Sequence, residues 1–338
     1  MTARTPAGFP VPQAPIAGPC IAPGQSVTVL VPATTANLGP GYDCLGMALG
    51  LHDTLTVTTT SETGVHVDID GEGAGCLPTD ASHLVARTIL TRWSDAGAAP
   101  AGLRLHARNV IPHGRGLGSS AAAIVSALTA ADALLPEDLR RDMEARESVF
   151  AAAARLEGHP DNVAPAVFGS LTLSMQDDAG ATSTALALDE RIVPVVAVPD
   201  VELSTRTARS LLPDTVPHAV AAANGARVGL LVHALAMDPS LLLAATEDRL
   251  HQDHRAPAMP ASAALIARLR AAGHAAVVSG AGPTVLVLAA STDEAREVSE
   301  LIAGQPAAGT PGTDGDAAVS WRVLMPGVDR DGARLEAH

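Results

Sequence analysis

The sequence contains no lysine, so all 22 of its Lys and Arg positions are arginine. A phosphate-binding loop of the GxxxxGK[ST] type needs its lysine, and that class of nucleotide-binding protein is therefore excluded. Schiff-base chemistry and catalysis by a lysine general base are excluded for the same reason. Every basic side chain in the chain is an arginine or a histidine.

Aromatic residues are also scarce, at 2% of the chain. The core is therefore expected to consist mainly of Ala, Val and Leu. With 47% hydrophobic residues over 338 positions, the chain can bury one large core or two modest ones. Two lobes are the prediction that this length favours.

The few cysteines exclude two further classes of protein. Cys20, Cys44 and Cys76 are widely spaced and form no CxxC pair, which fits neither a disulfide framework nor a zinc site. A reducing compartment is the simplest interpretation. No apolar run approaches 18 residues, and the first 25 residues lack a basic start followed by an apolar stretch. We therefore expect a cytoplasmic protein that does not bind a membrane.

Positive charge is limited as well, because the formal net charge is −14. That charge opposes binding to a polyanion, and the arginines form no cluster of five or more. Nucleic acid is not expected as a partner.

Four regions are predicted along the chain. Residues 1–25 are rich in Pro, Gly and Ala and are expected to be a disordered extension. An N-terminal lobe at 26–187, a C-terminal lobe at 188–326 and a tail at 327–338 follow. Strands and helices mix without regular alternation, which favours an α+β fold. A helix over 80–93, capped by Asp80 or Ser82, and an Ala-rich helix over 119–135 are two of the predicted elements.

A glycine-rich turn gives the clearest local signal for a binding site. It consists of Pro112, His113, Gly114, Arg115, Gly116, Leu117, Gly118, Ser119, Ser120, Ala121 and Ala122. Glycines let backbone amides approach an anion, and the first turn of a helix adds unpaired N–H groups and the positive end of its dipole. Ser119 or Ser120 can also offer a hydroxyl to a phosphate or to Mg²⁺. The segment is predicted to hold phosphate, although an ordinary loop with a capping serine would carry the same pattern.

Two polar segments supply candidates for an acceptor site. In the first, a strand end and a Gly/Pro turn hold Asn37 and Asp43 six residues apart, where Asp43 could pair with an ammonium group. In the second, EGHPDN places Glu157, His159 and Asn162 at a helix end. One carboxylate such as Glu157 beside bound phosphates suffices for Mg²⁺. Turn stabilisation and helix capping are the alternative roles of both segments.

The turn SGAGPT at 279–284 lies between two apolar runs. A hairpin turn and a backbone packed against the glycine-rich turn explain it equally well. Thr205 and Arg209 are spaced i,i+4 on one predicted helix face, and Arg255 follows an acidic stretch. Arginine binds a carboxylate through two hydrogen bonds, although a surface salt bridge is the commoner fate of a single arginine.

The asparagine segment, the loop PxxxGLGSSAA and the turn SGAGPT, in that order, resemble the three motifs of the GHMP kinase superfamily. The segments ATTANLGPGYD, EGHPDNVAP, LSTRTARSLLP and DRLHQDHR resemble the homoserine kinase family within it. The resemblance covers about residues 27 to 325.

The resemblance implies a two-lobe fold, with a ribosomal S5-like N-terminal lobe and a ferredoxin-like C-terminal lobe. It implies that residues 112–122 bind ATP and that Ser120 and Glu157 lie near Mg²⁺. The implied catalytic residues are Asn162, Thr205 and Glu157. The implied contacts to L-homoserine come from Asn37, Asp43, His159, Asn162, Arg209 and Arg255. A homodimer is expected only from the family.

The reaction that this resemblance implies is in-line transfer of the γ-phosphoryl group of ATP to the side-chain hydroxyl, giving O-phospho-L-homoserine. Another kinase of the superfamily, of the mevalonate type, is the nearest alternative, but it needs no site for an ammonium and a carboxylate together. A homologue that binds ATP without turnover is the alternative from another class of protein.

Overall fold

The computed structural model describes residues 20–139, 145–304 and 319–336. Its strands are β1 (Cys20–Ile21), β2 (Ser26–Asn37), β3 (Gly41–Thr60), β4 (Gly64–Gly71), β5 (Ala99–Pro100), β6 (Gly102–Asn109), β7 (Leu171–Asp177), β8 (Gly180–Leu186), β9 (Val193–Pro199), β10 (Ala276–Val278), β11 (Val285–Ala289), β12 (Trp321–Leu324) and β13 (Arg334–Leu335). Its helices are α1 (Leu84–Asp95), α2 (Ser119–Leu134), α3 (Ala145–Glu157), α4 (Val163–Phe168), α5 (Thr205–Ser210), α6 (His218–Ala236), α7 (Leu242–Ala245), α8 (Gln252–Arg255), α9 (Pro260–Ala271) and α10 (Thr292–Ala303).

The strands form two main sheets within the described ranges. The larger sheet has the order β13-β2-β3-β6-β4, with β7 added to β3 and β8 added to β7. The smaller sheet has the order β10-β11-β9-β12, and its neighbouring strands are antiparallel. In the larger sheet β4 and β6 are parallel, and the other pairs are antiparallel. Mainly antiparallel sheets with segregated helices confirm the predicted α+β class.

The sequence of the inner strands explains why the two lobes share one core. Strand β9 is a run of Val, Ala and Pro that is buried on both faces. Val196 and Val198 join the core cluster that contains Val31 of the larger sheet, whereas Val195 packs in a second cluster with Leu265 of α9. Successive side chains of a strand point to opposite faces, so one apolar strand connects both clusters.

The start of α1 differs from the prediction. The helix begins at Leu84, and the ring nitrogen Nδ1 of His83 accepts the hydrogen bond from the Val85 amide at 3.3 Å. Asp80 is used in the preceding turn, where it accepts hydrogen bonds from the amide and the hydroxyl of Ser82. Short polar side chains form such local turns as readily as helix caps, which is why the predicted cap was wrong.

Both predicted terminal segments contain packed residues. Residues 1–19 of the predicted extension lie outside the described residues, but Ile21 is buried and β1 pairs with β5. The predicted tail returns to the first lobe, because β13 pairs with β2 and Asp329 is buried. Because Ile21 and Asp329 are both buried, neither residue belongs to a solvated terminus.

Among the described residues, one helix is long and apolar enough to cross a membrane by length and composition, with a mean hydropathy of 1.4. This helix is α6. Its apolar run is interrupted by Asn224, which donates a hydrogen bond to the Pro40 carbonyl, and by Arg227, which pairs with Glu247. Leu231 and Leu235 of the same helix are buried in the core shared by the lobes. The contacts of α6 are therefore those of a helix packed on a protein core.

Candidate active site

The glycine-rich turn adopts a backbone that favours glycine. Gly114, Gly116 and Gly118 have φ angles of +64°, +79° and +70°. The left-handed region is accessible to glycine without the steric cost of a Cβ. Helix α2 begins directly after Gly118, so the free amides of its first turn face the same space as the turn. The geometry fits the predicted phosphate cradle.

The turn is held from both sides by hydrogen bonds. At its start, one carboxylate oxygen of Asp53 accepts hydrogen bonds from the amides of Val110 and Ile111 at 2.6 and 2.8 Å. At its middle, the Ser279 hydroxyl donates to the Gly116 carbonyl at 2.6 Å. A Cβ on Gly116 would lie 2.3 Å from the Ser279 carbonyl oxygen. The SGAGPT segment is therefore both the turn between β10 and β11 and the support of the glycine-rich turn.

Asn37 organises the asparagine segment from a buried position. It has a φ of +70° and ends β2. Its side-chain amide donates to the Gly280 carbonyl at 2.7 Å, and its Oδ1 accepts from the Asp43 amide at 3.0 Å. Asn37 thus connects two of the three predicted motifs and fixes the position of Asp43 in the cleft.

Asp43 and Arg209 face each other across the cleft. The guanidinium donates to both carboxylate oxygens, at 2.9 and 2.6 Å, and also to the Tyr42 hydroxyl at 2.9 Å. The side chains of Asp43 and Arg209 are 34% and 35% exposed. Each charged group therefore keeps a face open to the cleft.

Arg255 is 1% exposed, which is rare for an arginine. Its guanidinium donates to the carbonyl oxygens of Gly280 and Ala208 and to Nδ1 of His251. The other ring nitrogen of His251 contacts the Gly39 carbonyl at 2.8 Å, which assigns the proton to Nε2. Burial lowers the pKa of His251 and favours this neutral form. Within the described residues no carboxylate forms an ion pair with Arg255, and its guanidinium lies 5.4 Å from the centre of the Tyr42 ring.

Glu157 and Ser120 meet near the start of α2. The Ser120 hydroxyl donates to Oε2 of Glu157 at 2.9 Å. Burial raises the pKa of Glu157, and the nearby His159 and the hydrogen bond from Ser120 oppose that rise. The pair brings one carboxylate and one hydroxyl oxygen together beside the cradle, which is a donor set that fits Mg²⁺ together with phosphate oxygens.

His159 and Asn162 are oriented by Asp161, which is almost fully buried. Its Oδ1 accepts the amide hydrogen of Asn162 at 2.9 Å and contacts Nδ1 of His159 at 2.8 Å. Burial lowers the pKa of His159, but the hydrogen bond and the charge of Asp161 outweigh that effect and the pKa is raised. The Thr34 hydroxyl donates to Asn162 Oδ1 at 2.8 Å. Both predicted side chains are thus positioned by neighbours on the same lobe.

One cleft with about 670 Å³ of empty space brings most of the predicted residues together. Its lining includes Asn37, Asp43, Gly114, Gly116, Gly118, Ser119, Ser120, Glu157, His159, Asn162, Thr205, Arg209 and Arg255. A second pocket of about 1000 Å³ adjoins it at Ser119 and Ser120, and His113 and Ala122 line that pocket. Leu117 and Ala121 are core residues, and the side chain of Arg115 contacts the second lobe.

Three further residues of the site were not singled out from the sequence. Tyr42 is the chain's single tyrosine and stands beside Asp43, a signal that could have identified it. Asp161 lies inside the EGHPDN segment between two residues that were named. His251 lies four residues before Arg255 in the segment DRLHQDHR, so their i,i+4 spacing on one helical turn is a signal that could have identified it.

The chain is similar to known proteins along nearly its whole length. Residues 83–170 match the family model of the GHMP kinases N terminal domain, and residues 231–303 match that of the GHMP kinases C terminal. Homoserine kinase of Streptomyces coelicolor is 49% identical over 321 residues, which are 95% of this chain and 97% of that protein. Homoserine kinase of Clavibacter michiganensis is 47% identical over 316 residues, 94% of this chain and 96% of that protein.

A solved structure agrees with these matches. The crystal structure of homoserine kinase from Cytophaga hutchinsonii superposes with a TM-score of 0.78 at 27% identity, over 92% of this chain and 97% of that chain. The resemblance inferred from the motifs and the fold that it implied are therefore confirmed. By its two matched domains, its identity to these relatives and its fold, the chain belongs to the homoserine kinase family of the GHMP kinases.

Proposed function

We propose that the protein transfers the γ-phosphoryl group of ATP to the side-chain hydroxyl of L-homoserine, giving O-phospho-L-homoserine and ADP. Family membership supports the reaction. The observation that carries the choice of acceptor is the set formed by Asp43, Arg209 and Arg255 at one end of the cleft. One negative and two positive side chains there complement the ammonium and the carboxylate of a free amino acid.

ATP is expected to place its phosphates on the glycine-rich turn and the first amides of α2. The adjoining pocket meets the cleft at Ser119 and Ser120, which makes it the proposed site of the nucleoside. In this arrangement the γ-phosphate enters the cleft beside Glu157. Residues 112–122 bind mainly through their backbone, because several of their side chains are buried in the core.

Ser120 and Glu157 are the proposed protein ligands of Mg²⁺. Within the described part of the chain, no group of three or more His, Cys, Asp or Glu side chains could hold a metal ion. Mg²⁺ in kinases is bound by one or two protein groups together with substrate phosphates, so this small donor set fits. When bound, the ion supplies charge that stabilises the transferring phosphoryl group. Glu157 must be ionised to bind Mg²⁺. Because burial raises its pKa, this ionisation needs a higher pH than that of an exposed glutamate.

The acceptor is proposed to replace part of the Asp43–Arg209 contact. Its ammonium binds Asp43, and its carboxylate binds Arg209 and Arg255, whose charge has no carboxylate partner among the described residues. Asn37 holds Asp43 in place through the amide of that residue. The side-chain hydroxyl of the acceptor then points towards Thr205, His159 and Asn162, which line the same cleft.

Catalysis is proposed to depend on positioning. The hydroxyl oxygen forms a bond to the γ-phosphorus while the bond to the bridging oxygen breaks and ADP leaves. The hydroxyl proton is released to a phosphoryl oxygen or to solvent. A loose transition state needs little help from a strong base, so alignment of the acceptor by Asn162 and Thr205 and charge stabilisation near Glu157 can suffice.

The experiment that tests this function is ADP release by the purified protein with Mg·ATP and L-homoserine, L-threonine, mevalonate or galactose. We expect turnover with L-homoserine at least tenfold above that with each other alcohol. Turnover only with another alcohol would remove the amino-acid site from the proposal. Nucleotide binding without any turnover would favour a silent homologue.

A homodimer and a cytoplasmic location stay predictions from the family and the composition. Light scattering coupled to gel filtration measures the first directly. A molar mass close to 34.1 kDa would exclude the dimer.

A further inference from the structure

The side chain of Arg115 leaves the glycine-rich turn in the direction of the second lobe. Its Nε donates to the Pro199 carbonyl at 3.0 Å, and its Nη2 donates to the Asp200 carbonyl at 3.3 Å. Nη1 donates to the His113 carbonyl at 3.0 Å and lies 3.4 Å from the Glu202 carboxylate. The Arg115 side chain is only 18% exposed and lines neither the cleft nor the adjoining pocket. It is therefore engaged away from the phosphate cradle.

The residues that Arg115 reaches lead directly to α5. Pro199 ends β9, and residues 200–204 connect it to the helix. The same connection touches the turn a second time, because the Leu203 amide donates to the Gly114 carbonyl at 2.9 Å. A Cβ on Gly114 would lie 3.4 Å from the Glu202 carboxylate. The connection before α5 therefore rests on the glycine-rich turn.

Helix α5 has little apolar packing to hold it. Ala208 is its buried residue, and Thr205, Arg206 and Thr207 are exposed. An element with few buried contacts depends on its polar contacts for its position. At the far end, these contacts are Arg209 with Asp43 and Arg255 with the Ala208 carbonyl, both within the proposed acceptor site. Arg115 provides contacts at the near end that involve no proposed acceptor ligand.

We infer that Arg115 is a positioning residue that helps to fix α5, and with it Thr205 and Arg209, to the glycine-rich turn, so that its side chain couples the phosphate site to the acceptor site. This inference rests on the proposed function for its kinetic consequence. The glycine-rich turn and α5 then move together, so a nucleotide that orders the turn also orders α5. By linkage, the acceptor strengthens nucleotide binding by the same factor.

The test compares Arg115→Met with wild type. Methionine keeps much of the apolar length and removes every donor. We expect the KM for L-homoserine to rise about tenfold, since a small misplacement of an acceptor group has effects of this size or larger. The Kd for ATP measured without L-homoserine should change less than about threefold, since the lost coupling affects ATP only when the acceptor is bound. Calorimetry should show that a non-hydrolysable ATP analogue improves homoserine binding in wild type, and that this improvement is smaller in Arg115→Met.

Three further variants separate the contacts. Arg115→Lys keeps the charge but places a single ammonium where two carbonyls are bound, so an intermediate effect is expected. Glu202→Gln removes the exposed ion pair alone and should behave as wild type. Arg296→Met changes an exposed arginine of α10, which pairs with Asp293, and controls for the loss of one positive charge.

Two results would overturn the inference. A rise confined to the KM for ATP would make Arg115 a phosphate ligand, and unchanged constants in both Arg115 variants would make it an inert side chain. Amide hydrogen exchange of residues 203–210 needs no acceptor, and it should be faster in Arg115→Met than in wild type. If wild type does not phosphorylate L-homoserine, this exchange measurement still tests whether Arg115 holds α5 in place.

Discussion

At the residue scale, the proposed selection of an amino acid depends on the pair of Asp43 and Arg209. In the structure the two groups satisfy each other through two short hydrogen bonds. A ligand with one ammonium and one carboxylate can replace these hydrogen bonds, because its ammonium pairs with Asp43 and its carboxylate pairs with Arg209. An uncharged alcohol offers no such replacement, and it would leave the buried charge of Arg255 without a counterion.

Asp43→Asn tests this exchange, because asparagine keeps the size of the side chain and removes its charge. A hydrogen bond to a charged group contributes about 1.5–3 kcal/mol. At about 1.4 kcal/mol per factor of ten, the KM for L-homoserine should rise roughly 10- to 100-fold. The KM for ATP should stay within about twofold. Steady-state kinetics measure both constants.

Asp293→Asn, at an exposed ion pair on α10, is the matched control and should leave both constants unchanged. An equal weakening of ATP binding in Asp43→Asn would contradict the placement of this carboxylate in the acceptor site.

The candidate site shows which residue roles can be read from a sequence. The glycine-rich turn and the segment EGHPDN each place several candidate groups within a few residues of one another, so the sequence points to them. The partner of Asp43 is 166 positions away, and the amide of Asn37 reaches Gly280 across 243 positions. Such pairs depend on how the lobes pack, which no local pattern contains.

At the element scale, the glycine-rich turn depends on close contacts to β2 as well as on its left-handed backbone. Gly118 has a φ of +70°, and a Cβ there would lie 1.9 Å from the Thr34 hydroxyl oxygen. That hydroxyl is the donor that holds Asn162. A side chain at position 118 would therefore disturb both the phosphate cradle and Asn162, which is proposed to align the hydroxyl of L-homoserine.

Gly118→Ala is expected to raise the KM for ATP at least tenfold and to destabilise the fold. Backbone strain of this kind costs on the order of 1–3 kcal/mol, and the contact with Thr34 adds to it. Gly97→Ala is the matched control, since Gly97 has a φ of +73° and a Cβ there would meet no atom within 4 Å. Kinetics and thermal unfolding measure the two effects.

The Gly97 variant should lose stability from backbone strain alone and keep its KM for ATP. Equal kinetic behaviour of the two variants would show that the contact of Gly118 with Thr34 has no role in nucleotide binding.

The elements that could be predicted are those whose pattern is local. Helix α2 begins at Ser119 as predicted, because a glycine turn followed by a long Ala-rich run leaves few alternatives. Strand β8 gives little local signal, since its residues GATSTAL show no regular apolar alternation and, among the described strands, it pairs with β7 alone. Helix α8, a single turn that carries Arg255, is too short to give a periodic signal.

At the scale of the whole molecule, residues near the C-terminus return to the first lobe. Strand β13 pairs with β2 of the first lobe after the chain has completed the second sheet. Asp329 fixes this return, because its carboxylate accepts hydrogen bonds from the amides of Asp331 and Gly332 and contacts His52 and Arg334. The segment lies outside the cleft, so its contribution is to stability.

Asp329→Asn should therefore destabilise the protein at neutral pH by about 1–3 kcal/mol without changing either KM. Burial alone would raise the pKa of Asp329, but the hydrogen bonds from His52, Gly332 and Arg334 lower it to about 2. Since the pKa in the unfolded chain is about 3.9, the stabilisation is complete well above that value and is lost as the pH falls towards 2. Urea unfolding at pH 7, 5 and 3 should show the difference between wild type and variant shrinking with acid. Asp331→Asn, an exposed neighbour, is the control, and a difference that stays constant from pH 7 to pH 3 would contradict the role of the ionised carboxylate.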